Sequence, residues 1–132
     1  MKNNNNVKDL NKQLFSGAVK VLRNSYIRYL CYVAILINLL NWLSSYYIVS
    51  RIDHDLMILH YNVKFGIDYI GEVGKIYNFP LVGFIVILVN LSIYLFSKRD
   101  YKFLGYTLLV VSILVNIFIL MSLGPIYLIN LS

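Results

Sequence analysis

Residues 79–123 read FPLVGFIVILVNLSIYLFSKRDYKFLGYTLLVVSILVNIFILMSL. Two apolar runs, 79–97 and 103–123, flank a short charged turn, and neither run contains Asp, Glu, Lys, Arg or His. Crossing about 30 Å of hydrocarbon as a helix takes about 20 such residues, so each run is long enough to span a bilayer. A third run lies upstream, 29–50, reading YLCYVAILINLLNWLSSYYIVS. It exceeds the usual apolar core of a secretory signal, and the bulky Tyr46 and Tyr47 follow Ser44-Ser45, so it reads as a retained span. Tyrosines and phenylalanines crowd the ends of the runs, at Tyr26, Tyr29, Tyr32, Tyr46, Tyr47, Tyr77, Phe79, Tyr94 and Phe96, where amphipathic rings favour the headgroup level. Pro80 falls in a first helical turn, where its missing N–H costs nothing, Asn78 is read as a cap, and Gly124-Pro125 as the stop of the third helix.

Working outward, composition agrees. The chain has 132 residues, 59% hydrophobic and 14% charged, with net charge +6. That is too apolar and too weakly charged for a disordered segment, and it leaves too little charge to coat a nucleic-acid-binding surface. The single cysteine, Cys31, excludes an internal disulfide framework or a cysteine zinc site and reads as a packing residue. The expected fold class is all-α membrane: three transmembrane helices, a small extracytoplasmic loop or cap, and a short N-terminal amphipathic helix. The expected division is 1–28 basic N-terminal segment, 29–50 first helix, 51–78 outer loop, 79–97 second helix, 98–102 turn, 103–123 third helix and 124–132 outer tail.

Charge sets the expected orientation. Residues 1–28 carry Lys2, Lys8, Lys12, Lys20, Arg23 and Arg28 against Asp9, a net +5. The loop 51–78 carries Arg51, Lys64 and Lys75 against Asp53, Asp55, Asp68 and Glu72, a net −1. The turn 98–102 carries Lys98, Arg99 and Lys102 against Asp100, a net +2. Cytoplasmic segments hold the Lys/Arg excess, which predicts N-terminus in, loop out, turn in and C-terminus out. Within 1–28, Leu10, Leu14, Ala18, Val21 and Leu22 recur at helical spacing opposite Lys8, Lys12, Ser16, Lys20 and Arg23. Such a helix lies at an anionic membrane surface, either recruiting lipid or a partner or, as preferred here, simply holding the N-terminus inside.

Four asparagines lie inside the runs: Asn38 and Asn41 in the first, Asn90 in the second, Asn116 in the third. An amide at membrane depth seeks an interhelical partner, so these residues are read as packing glue. The alternative is a small oligomeric channel or transporter subunit built around the Asn-bearing faces. Against it, the spans lack the intramembrane charges that mark proton relays and coupled transporters.

The loop 51–78 reads RIDHDLMILHYNVKFGIDYIGEVGKIYN. Met57, Leu59, Tyr61, Val63 and Phe65 alternate with Ile58, His60, Asn62 and Lys64, which predicts a strand, and Gly66, Gly71 and Gly74 predict a turn-rich continuation. Asp53-His54-Asp55 and His60 offer ligands of the type zinc, manganese or iron accept. Their spacing matches no defined metal motif, and a strand sends His60 and Tyr61 to opposite faces. No metal or cofactor is therefore expected. With no nucleophile elbow, P-loop or HExxH motif, the chain is read as non-enzymatic, a metal-dependent enzyme at the outer face using His60 and Asp68 being the minority reading.

The run His60-Tyr61-Asn62, Gly66-Ile67-Asp68, Gly71 and Lys75 resembles the signature loop of a bacterial membrane domain of unknown function, found in immunity proteins against the sporulation-delaying toxin. The resemblance covers residues 29–97, with Ile58 standing where that domain carries proline. It implies a bacterial cytoplasmic (inner) membrane protein with a turn-constrained outer loop, in which His60, Asn62, Gly66, Asp68 and Gly71 mark a ligand or structural site. Asn and Asp can bond their own backbone in turns, glycine supplies positive φ, and a His60–Asp68 bond would pin the loop. The expected function is a non-enzymatic binding, immunity or sensing module acting through this loop. Its expected partners are the lipid bilayer and another membrane protein or peptide.

Overall fold

A computed structural model describes residues 2–52, 55–62, 66–97 and 102–131, with side chains at all of these except 2–6, 20, 60–62, 66–69 and 131. The elements run α1 (Lys2–Arg23), α2 (Ser25–Val49), β1 (Leu56–Asn62), β2 (Gly66–Glu72), a 3-10 helix (Val73–Tyr77), α3 (Asn78–Phe96) and α4 (Lys102–Leu131). Three helical segments, Ser25–Val49, Val73–Phe96 and Lys102–Asn130, are long and apolar enough to cross a membrane. They pack against one another with many large apolar side chains left outward and small polar ones turned in. Leu36, Leu39, Leu43, Leu88, Leu114 and Phe118 are exposed, whereas Asn38, Asn41, Ser45, Ser112 and Asn116 are at most 4% exposed. That arrangement suits a hydrocarbon surrounding rather than water, because a polar group facing lipid has no partner.

α2 begins earlier than the apolar run. Asn24 is extended (φ −101°, ψ 105°), and its side chain accepts hydrogen bonds from the backbone N–H groups of Tyr26 and Ile27, satisfying two donors that a helix start leaves orphaned. Its Nδ2 donates to the Tyr106 hydroxyl at 3.1 Å, so the break between α1 and α2 is tied to α4. α1 lies against α2 and α3 and touches α3 where Gly17 meets Leu95; a Cβ at Gly17 would stand 2.7 Å from the Leu95 carbonyl oxygen. Nearby, Ile27, Tyr94 and Leu109 form a buried cluster joined by Val21 of α1.

Three local expectations are corrected. Asn78 does not cap α3: the 3-10 helix runs straight into it, Tyr77 holds the cap position without a side-chain bond, and Asn78 is itself helical (φ −64°, ψ −28°). Gly124-Pro125 does not end the third helix either. α4 continues to Leu131 with Pro125 inside it, because Leu123 and Ile126 are buried beside the hairpin and Asn130 is bonded to it. Tertiary anchoring outweighs the hydrogen bond that proline removes.

The third correction concerns the loop, which makes the fold mostly helical rather than all-α. Met57 and Leu59 are buried on β1 as the alternation requires, but Gly66–Glu72 forms a second strand instead of a run of turns. The strands pair antiparallel, with Leu56 opposite Glu72, Met57 opposite Gly71 and Ile58 opposite Ile70; the register shifts on either side of His60. The buried face of this hairpin joins Ile48, Ile76, Leu123 and Ile126 in one apolar cluster at the helix ends.

Candidate functional site

Among the described residues, polar groups gather at the bundle centre and at the hairpin. At the centre, the spacing of Asn38, Asn41 and Ser45 puts them on the buried face of α2, and Asn116 and Ser112 lie one turn apart on α4. The Asn116 side-chain oxygen accepts from Asn38 Nδ2 at 2.9 Å and Asn41 Nδ2 at 3.1 Å, while its own Nδ2 donates to the Gly83 and Ser112 carbonyls. Asn38 also donates to the Pro80 carbonyl, and Asn41 to the Asn116 carbonyl. Gly83 makes this possible. A Cβ there would collide with Asn116 Oδ1 and stand 3.0 Å from Asn38 Nδ2.

Asn90 is not part of that cluster. It is half-buried and donates to Ser112 Oγ at 2.9 Å and to the Leu108 carbonyl, so Ser112 links it to the centre through α4. Among the described residues, two buried side-chain atoms have no partner: Asn41 Oδ1 and Ser45 Oγ. The cluster contains no ionisable side chain. Its amides lock three helices together and use their donors on protein acceptors, chemistry suited to holding a bundle rather than to moving a proton.

At the hairpin the key contact is one the sequence reading missed. Asn130 Oδ1 accepts from the Ile58 N–H at 2.7 Å, and Asn130 Nδ2 donates to the Ile58 carbonyl at 2.8 Å and to the Ile126 carbonyl. One side-chain amide thus serves the outer edge of β1 as a neighbouring strand would. Asn130 belongs to the segment 124–132, whose sequence predicts an outer tail; a lone amide one turn beyond Ile126 is the signal it offers. Trp42 stacks on Tyr77 with centroids 6.0 Å apart, tying α2 to the 3-10 helix.

Of the motif residues, backbone placement is given by the register. His60 pairs with Tyr69, Asn62 with Gly66, and Gly71, which is buried, with Met57; Asp68 lies on β2. The side chains of His60, Asn62 and Asp68 lie outside the described ones, and Asp53, His54 and Lys64 lie outside the described residues. Among the described residues, no three His, Cys, Asp or Glu side chains group as a metal site. Compared with known protein families, curated proteins and solved structures, the chain has no match.

Proposed function

We propose that the protein is a non-enzymatic, multi-pass membrane module that presents the hairpin 56–72 to another membrane protein or peptide at the outer face of a bacterial cytoplasmic membrane. The observation that carries this reading is the Asn130 clamp on Ile58, which with the cluster of Met57, Leu59, Ile76 and Ile126 fixes the hairpin to the helix ends. A hairpin alone is marginal in water; anchored this way it becomes a preorganised face, and preorganisation lowers the cost of binding. Its exposed side carries Leu56, Ile70 and Glu72.

The Lys/Arg distribution supports a cytoplasmic N-terminus and an outer C-terminus. It also supports α1 as an interfacial amphipathic helix, on which Leu10, Leu14 and Leu22 are exposed together with Lys8 and Lys12. The likeness of the His60–Gly71 run to the toxin-immunity loop points the partner class toward a peptide or membrane protein. A channel reading finds support in the ladder of Asn90, Ser112, Asn116, Asn38 and Asn41, but their mutual bonds favour packing over solute coordination.

Photo-crosslinking in the native membrane tests the binding role. A benzoyl-phenylalanine at Ile70 or Glu72 is expected to give a discrete heteromeric adduct that weakens when Asn130→Leu releases the hairpin. Adducts only from positions in α1, or none from either hairpin site, would remove the proposal.

A further inference from the structure

At the hairpin end of the bundle a groove of about 410 Å³ runs between α2 and α4, with Leu43, Ser44 and Tyr47 on one wall and Leu120, Gly124 and Tyr127 on the other. It lies within the segments apolar enough to cross a membrane, so it opens onto acyl chains. Leu43 is 57% exposed, and a Cβ at Gly124 would meet nothing within 4 Å, which leaves the groove floor open. The rim is different. The Tyr47 and Tyr127 rings lie 5.8 Å apart, and the Arg51 guanidinium sits 5.2 Å from the Tyr47 ring centroid. Arg51 follows the Ser50 cap of α2, one turn beyond Tyr47, at the depth where tyrosines mark the headgroup layer.

We infer that this groove binds one anionic phospholipid, its acyl chain along Leu43, Leu120 and Gly124 and its phosphate on Arg51 and the two tyrosine hydroxyls. Guanidinium matches phosphate oxygens with paired, charge-assisted hydrogen bonds, and the ring contact holds it at the mouth of the groove instead of leaving it to roam. The loop as a whole is net −1, so selection for an anion must come from Arg51 itself and not from a diffuse basic field. The basic helix α1 lies at the other end of the bundle, beside Leu95, and forms no part of this site.

Native mass spectrometry of the full chain with equimolar phosphatidylglycerol and phosphatidylcholine of identical acyl chains reads the headgroup alone. The wild-type protein is expected to keep one phosphatidylglycerol in preference to phosphatidylcholine by about tenfold, the scale of one charge-assisted hydrogen bond pair. Arg51→Gln should bring the two lipids to near parity. Gly124→Leu, which fills the groove from its open floor without touching a charge, should reduce retention of both. Lys12→Gln on α1 should leave the preference unchanged. The assignment is overturned by a wild-type protein without preference, by a preference that survives Arg51→Gln, by undiminished retention in Gly124→Leu, by a preference that disappears in Lys12→Gln, or by a dimer mass in place of the lipid adduct.

Discussion

Asn116 is the residue on which the bundle centre turns, because its side chain makes four hydrogen bonds and each of its neighbours makes fewer. Leucine in its place removes all four and leaves Asn38 with the Pro80 carbonyl and Asn41 with the main-chain carbonyl at 116. At about 0.6 kcal/mol per interhelical bond in a membrane, Asn116→Leu should cost about 2 kcal/mol. Ser45 gives the opposite expectation from the same helix face. Its hydroxyl is buried without a partner among the described residues, so Ser45→Ala removes an uncompensated desolvation and should leave stability unchanged or raise it by up to about 1 kcal/mol. Unfolding by steric trapping in bicelles checks both. A loss at Ser45→Ala as large as that at Asn116→Leu would show that the hydroxyl has a partner, such as a bound water, and refute this account of the site.

At the scale of the element, glycine decides how closely helices approach. Gly83 and Gly124 both lie inside helices, yet a methyl group meets opposite surroundings at the two. Gly83→Ala drives a Cβ into the amides of Asn116 and Asn38, an overpacking that should cost about 1–3 kcal/mol. Gly124→Ala meets open space beyond its chain neighbours, but in a helical residue before proline the new Cβ crowds the Pro125 ring and offsets the helix propensity gained, so stability should change by less than about 1 kcal/mol. Thermal or denaturant unfolding in one detergent compares the two, and a loss at Gly124→Ala as large as that at Gly83→Ala would refute the difference in their surroundings. These two positions also show what the sequence could carry. Apolar run length was enough to find three spans, and period-2 alternation was enough to find β1, because both are local. The second strand was not legible, since Gly66 and Gly71 are ordinary turn signals until a partner strand places Gly71 opposite Met57. Pro125 reads as a stop for the same reason: the contacts of Ile126 and Asn130 that carry the helix past it come from residues about 70 positions away, beyond the reach of any local rule.

For the whole molecule, the two ends differ in charge as well as in structure. One end gathers α1, the start of α2, the end of α3 and the start of α4, where Gly17 meets Leu95 and Asn24 reaches Tyr106. The other gathers the hairpin and the end of α4 through Asn130. The first end holds the +5 and +2 segments and the second the −1 loop, so a single insertion direction satisfies every segment. No compromise between loops is needed, and the orientation should be uniform across the population. The test uses a Cys31→Ser background, which removes the native thiol, carrying either Glu72→Cys on the exposed hairpin or Lys12→Cys on α1. In intact cells a membrane-impermeant maleimide is expected to label residue 72 and to reach residue 12 only after the membrane is opened. Labelling of both sites in intact cells would mean a mixed orientation, and labelling of residue 12 alone an inverted one. Either result would put the hairpin on the wrong side for an outer-face partner while leaving the amide cluster, which has no sidedness, untouched.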